Sequence, residues 1–334
     1  MLRADRLKLF PIDKTPVRLY HYNENHFQQR KGSLKVFQMK TYLDCIPCFF
    51  KQALEAAKKA GAGPRVQKRI LDELAGILPN ISLKSSPPEI GRTIYKLVGD
   101  ISGKKDPFLK EKDRSNRLAL AIYDKLKKKI DPASDKLLLA VELAIAGNII
   151  DYGVKNTLNI DAELAAILSR EKEVIKKESK AIFDYSKFKH TVKNTRDILY
   201  LGDNAGEVVF DRILIEQIKK INRDVRVIYA VKEKPVINDA LRKDAEDCGI
   251  GKIAEIISSG SDAPGTVLAL CSKRFLSLYR KADMVISKGQ GNFEALSGAK
   301  RPVFFLFMAK CPVIARDVGC RVGDVILMHH KGRR

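Results

Sequence analysis

The hydrophobic pattern of this chain changes once, near Asn194. From Thr41 to about Lys187, apolar residues recur every three or four positions, the period of helices that bury one face. Residues 48–60 run into the stop signal GAGP, residues 65–78 end at Pro79 and Asn80, and residues 88–99 read as a third helix. Longer helices are expected over 109–130, 134–148 and 161–184. Beyond Asn194, short β-prone runs at 198–201, 225–231, 253–257, 284–287, 303–308 and 325–328 alternate with helix-compatible segments at 238–248, 265–281, 292–297 and 312–318. Alternation of that kind predicts a mainly parallel sheet covered on both faces. The expected class is therefore α/β: an α-helical domain over 39–190, then a Rossmann-like domain over 191–334 carrying the functional site. Residues 1–38 are polar and aperiodic and read as an extension, with Met39 a second candidate for the initiating residue.

The stretch 197–221 organises the second half. Ile198 to Leu201 form a buried strand, Gly202 breaks it, and a helix with Val208, Val209, Ile213, Ile215 and Ile218 on its apolar side follows Gly206. Asp203 and Asn204 thus arrive at the carboxyl end of a strand, the edge where open α/β sheets bind ligands. Two oxygen-bearing side chains there suit a hard divalent cation such as Mg²⁺ or Mn²⁺; the competing role is a cap for the next helix.

Company elsewhere favours the cation. GDNAGE also carries Glu207, VKEKPVINDAL sets Asn238 and Asp239 at the expected start of a helix, and SKGQGNFE sets Lys288, Gln290 and Asn292 among glycines after a strand. In a parallel sheet these ends meet on one rim. Such a set suits phosphoryl transfer: carboxylates hold a metal, a lysine neutralises developing charge, and glycines admit backbone amides to the anion. A carboxylate attacking phosphorus to form a covalent intermediate is also open. GDNAGE is no dinucleotide fingerprint, because Asp203 occupies the turn where a diphosphate needs bare amides.

Composition narrows this picture. The 334 residues carry a net charge of +22, but the lysines of KLKKKID and REKEVIKKESK are mixed with acids on helices and lack interleaved aromatics, so a solvated surface ranks ahead of a nucleic-acid face. No apolar run approaches the roughly 18 residues that span a bilayer, and no secretory leader is seen; a cytoplasmic address is expected. The six cysteines are scattered. Only Cys45 and Cys48 are close, at a helix start expected to lower a thiol pKa. Structural thiols come first for them, then a second metal site, then a redox switch. Cys311 is expected in packing, and His21, His26, His190, His329 and His330 at the surface.

With these motifs assembled, the chain resembles the DUF89 family, also called damage-control phosphatases, which includes a protein once described as a carboxyl methyltransferase. The resemblance covers Met39 to the carboxyl terminus and rests on TYLDCIPC, DPF, SNRLAL, AGNIIDYG, GDNAGE, NDA and SKGQGN; the CxxC is similar to the microbial subgroup. It implies a helical domain, a Rossmann-like domain and a divalent metal at their junction. Asp203, Asn204 and Asp239 would be metal ligands, Lys288 and Asn292 phosphate contacts, and Asp203 or Asp239 the catalytic nucleophile; Glu207 is expected on the substrate side. Gln290 and Glu294 stand where other members carry Asp and Arg. Asn148 and Asp151, at the end of a first-domain helix, are placed at the interdomain cleft, a preferred ligand site. The expected function is a phosphatase of small phosphorylated metabolites, such as sugar phosphates, using Mg²⁺, Mn²⁺, Co²⁺ or Ni²⁺. The alternatives are a non-catalytic nucleic-acid-binding protein and a carboxyl methyltransferase. The sequence leaves the oligomeric state open.

Overall fold

The computed structural model describes residues 38–147 and 180–333, all within one compact unit. Helices come first: α1 (Cys45–Lys59), α2 (Pro64–Ile77), α3 (Pro87–Ser102), α4 (Leu109–Ile130) and α5 (Lys136–Ala146). Local chemistry fixes their ends. Ser86 and Glu89 form a capping box ahead of α3, Gly103 closes it in the left-handed region at φ 71°, and the Asp135 carboxylate accepts the Leu138 N–H to open α5.

The second half contains β1 (Ile182–Phe183), α6 (Tyr185–Asn194), β2 (Asp197–Leu201), α7 (Glu207–Ile221), β3 (Arg226–Val231), α8 (Arg242–Asp247), β4 (Glu255–Ser258), α9 (Lys273–Lys281), β5 (Met284–Lys288), α10 (Gln290–Leu296), β6 (Val303–Met308), α11 (Pro312–Val318) and β7 (Val325–His330). The sheet runs β1-β7-β6-β5-β2-β3-β4, and only β6 and β7 are antiparallel. The α/β class with a mainly parallel sheet therefore holds.

Strand side chains alternate between two cores, as the pleat demands. Ile198, Tyr200, Val227, Tyr229 and Ile286 face α4, α5 and α7, whereas Leu199, Leu201, Ile228 and Val285 face α9, α10 and α11. A third core is confined to α1, α2, α3 and Phe108. Helices α4 and α5 thus share their core with the sheet, and α7 is buried on nearly all sides between them.

Several local expectations change. The region 180–184, read as helix, contains the two-residue edge strand β1, paired to β7. Helix 265–281 shrinks to α9, because Leu268–Leu270 form a separate 3-10 turn and the Ser272 hydroxyl, accepting from Phe275 N–H, caps a new start at Lys273. Asp239 does not open a helix, since α8 starts at Arg242. His330 is buried in β7, its ring against the Ala299 carbonyl, and His329 stacks on Phe304. No helix among the described residues is long and apolar enough to cross a membrane.

Candidate active site

The central strands β2, β3 and β5 all end on one rim. After β2, Gly202 passes so close to Tyr229 that a Cβ there would lie 2.6 Å from its hydroxyl oxygen. The chain then pairs with the segment after β3: Ala240 N–H donates to the Asp203 carbonyl (2.8 Å) and Ala205 N–H to the Asn238 carbonyl (2.9 Å), making Asn204 and Asp239 bridge partners. This pairing follows a turn at 237–238, keeps residues 239–241 out of a helix and sets Asp239 beside Asp203. Asp203, Asn204 and Asp239 are only 7, 4 and 1 % exposed. Gly289, at φ 78°, meets them from β5; a Cβ on it would sit 1.9 Å from Asp203 Oδ2, so only glycine lets the carboxylate occupy this place.

Behind these residues lies a chain of polar contacts. Asn204 Nδ2 donates to Asp203 Oδ2 (3.1 Å) and Glu207 Oε1 (2.8 Å). The Lys288 ammonium lies 3.2 Å from Glu207 Oε2 and 2.7 Å from Asp211 Oδ1. Burial alone would lower the Lys288 pKa, but Asp211 and then Glu207 outweigh it and raise it. Asn292 donates to the Gly202 and Lys288 carbonyls (3.1 and 2.8 Å) and accepts from the Thr266 hydroxyl (2.7 Å), so its amide ties two strand ends together. Asn116 of α4 accepts from Gly206 N–H and donates to Asp244 (both 2.7 Å), clamping the GDNAGE turn to α8.

Asp203 is held well above the usual carboxylate range by burial first, then by Glu207 and Asp239; Lys310 and Lys232 oppose this. Lys232 Nζ is 3.4 Å from Asp239 Oδ2. Four buried carboxyl groups, Asp203, Glu207, Asp211 and Asp239, thus face the two buried ammoniums of Lys232 and Lys288. The buried acids outnumber the buried ammoniums, and this excess of negative charge favours a bound cation. Among the described residues no group of three or more Asp, Glu, His or Cys side chains is placed to hold a metal ion by itself. Two carboxylates and an amide oxygen are an open set of the kind Mg²⁺ uses, with water and phosphate completing the shell. The residues fit the cation.

The outer rim is built from α1, α10 and the segment after β6. Gln290 donates to Glu294 (2.8 Å), accepts from Lys310 N–H (2.8 Å) and lies 3.7 Å from Cys311 Sγ. Cys311 is therefore a half-buried rim residue at the start of α11. Half-buried Cys45 is within electrostatic reach of Glu294, Cys311 and Cys48. Burial raises its thiol pKa despite the helix start, which corrects the expected lowering. Exposed Cys48 accepts from Gln52 (3.0 Å), and Gln52 accepts from the Tyr95 hydroxyl (2.9 Å). Tyr95, raised in pKa by burial and then by Asp239, links α3 to the rim.

The damage-control phosphatase ARMT1-like domain model matches residues 41–326. The chain belongs to this family. A damage-control phosphatase of Pyrococcus horikoshii is 35 % identical over 88 % of the chain and 99 % of its own length. An uncharacterized protein of Methanocaldococcus jannaschii is 34 % identical over 85 % of the chain and 94 % of its length. A crystal structure of a DUF89 protein from Pyrococcus horikoshii superposes with a TM-score of 0.80 at 33 % identity, covering 88 % of this chain and all of that one.

Within this damage-control phosphatase fold, Asp203, Asn204, Glu207, Asp239, Lys288 and Asn292 come together, with Cys45 and Cys48 at the outer rim. Asn148 and Asp151 lie outside the described residues. The site also holds Asp211, Asn116, Thr266 and Lys310, which sequence reasoning passed over. Three left a signal: Asp211, with Arg212, interrupts the apolar run VVFDRILI, Lys310 follows a strand at the same rim, and Asn116 lies within the SNRLAL motif.

Proposed function

We propose that this chain hydrolyses phosphoric monoesters of small metabolites, with a divalent cation held by Asp203, Asn204 and Asp239. The observation that carries this reading is their convergence at the strand ends under an excess of buried negative charge. The bound cation would polarise a phosphoryl oxygen and screen charge that develops there. Asp203, seated on Gly289, and Asp239, beside Lys232, provide its anionic ligands and face the substrate's phosphoryl group. Half-buried Lys310, within electrostatic reach of Asp203, supplies the cation that meets the phosphate. Lys288, engaged by Glu207 and Asp211, acts through the ligand set, and Asn292 fixes the spacing of the β2 and β5 ends. Asn148 and Asp151 are proposed, on sequence alone, as substrate-side groups.

The test is phosphate release from sugar phosphates, nucleotides and p-nitrophenyl phosphate with Mg²⁺, Mn²⁺, Co²⁺, Ni²⁺ or EDTA, beside Asp203→Ala. Turnover that requires both metal and Asp203 supports the reading. Turnover that persists in EDTA or in the folded variant overturns it.

A further inference from the structure

We infer that Asp211 is a positioning residue that sets the affinity of the strand-end site for its divalent cation, acting through Lys288, Glu207 and Asn204. This rests on the metal-site reading above and extends it to a residue that touches neither metal nor substrate. Asp211 is 0 % exposed and lies one helical turn after Glu207 on α7. Its Oδ1 accepts from the Tyr200 hydroxyl (2.7 Å) and faces Lys288 Nζ (2.7 Å), while its Oδ2 accepts from the Tyr229 hydroxyl (2.8 Å). The two tyrosine rings stack at 5.3 Å, which fixes where their hydroxyls point.

Each contact determines the next. Held by Asp211, the Lys288 ammonium takes one oxygen of Glu207, and the other oxygen takes the Asn204 amide nitrogen. An ionised carboxylate can only accept, so Glu207 takes the Asn204 amide N–H and not its oxygen, which fixes which way the Asn204 amide faces and turns its oxygen from the Glu207 side. Asp211 also neutralises Lys288, which would otherwise oppose a cation at Asp203. Carboxylate partners behind metal ligands commonly change metal affinity by about 10- to 100-fold when replaced.

The experiment is calorimetric titration of the full chain with Mn²⁺, without substrate, for wild type, Asp211→Asn and Asp211→Asn/Lys288→Met. Asp211→Asn keeps acceptor capacity for a tyrosine and removes one negative charge; we expect affinity to fall about tenfold or more. The double variant restores the net charge but removes the ammonium that joins Asp211 to Glu207; binding as weak as that of Asp211→Asn supports the relay, and recovery to wild-type affinity overturns it in favour of net charge alone. Binding by folded Asp211→Asn within about twofold of wild type, a factor that is not a tenfold shell effect, overturns the inference while leaving the metal-site reading intact. Failure of wild type to bind Mn²⁺ overturns both. If Asp211→Asn does not fold, Tyr229→Phe removes one donor and no charge; weaker Mn²⁺ binding by that variant supports the relay, and unchanged binding overturns it.

Discussion

In the α1–α3 layer, Ile70, Leu74, Ile94 and Val98 are wholly buried against alanines and other aliphatic side chains. At the ends of β2, β3 and β5, acids and lysines are buried in mutual contact. Burying a large aliphatic side chain contributes about 1.5–3 kcal/mol whatever its partner's identity. Burying an ion costs several kcal/mol, which attraction offsets only at good geometry. The helical layer can therefore tolerate changes of shape, while the rim depends on particular atoms and spends stability to assemble a site.

Asp203→Asn gives the largest separation between the two regions. Catalytic rate is expected to fall about a thousandfold, the scale of losing a central electrostatic group. In EDTA the variant should melt at a higher temperature than wild type, because a carboxyl group raised by burial, Glu207 and Asp239 has been replaced by a neutral amide. Melting below wild type would show that the acidic cluster stabilises the fold. Leu74→Ala is the converse. Leu74 is fully buried in α2, and its truncation is expected to cost about 3 kcal/mol in urea unfolding. Its turnover number at 25 °C should be unchanged. A large loss of rate in the folded variant would show that the layer's packing is coupled to the chemistry through α3 and Tyr95.

The division of labour also explains what was legible beforehand. The strands from β2 to β7 could be read because β-branched and aromatic runs bounded by turn residues are a local signal. The two residues of β1 lack such a signal, since pairing with β7 creates them as a strand. The rim acids could be read from strand-end logic, but the start of α8 at Arg242 could not. It depends on residues 238–241 pairing with the 203–205 turn and Lys232, contacts remote in sequence. Asn116 stood in the SNRLAL motif, but its role could not be read, because its clamp between Gly206 and Asp244 exists only in the packed structure.

Glu294 sharpens the comparison at intermediate size. Its carboxyl group is raised to about 7, chiefly by burial, with Gln290 and Lys310 opposing. A folded pKa above the unfolded value means that ionisation works against folding. The native state is unpenalised below about pH 4.3, the ordinary Glu value, and loses stability as pH rises through about 7. Glu294→Gln should therefore stabilise the protein at pH 8 by roughly 1–2 kcal/mol after allowance for its partial exposure, and by nothing at pH 4. Equal effects at both values, measured by urea unfolding, would remove ionisation as the cause.

The smallest expected effect belongs to the contact joining the two regions, where Arg92 of α3 donates twice to Asp262. The Arg92 hydrogen bond, followed by its charge, holds Asp262 below the usual carboxylate range despite partial burial. A depressed folded pKa contributes stability above the unfolded value, near pH 4, and that contribution is lost as pH falls through the folded value. Both side chains are about a third or more exposed, at 43 and 31 %, so solvent screening holds the effect of Asp262→Asn below about 1 kcal/mol at pH 7. The difference between variant and wild type should shrink toward zero in acid and in high salt. A loss of several kcal/mol that ignores both would mean that the pair, although exposed, fixes the helical layer against the sheet.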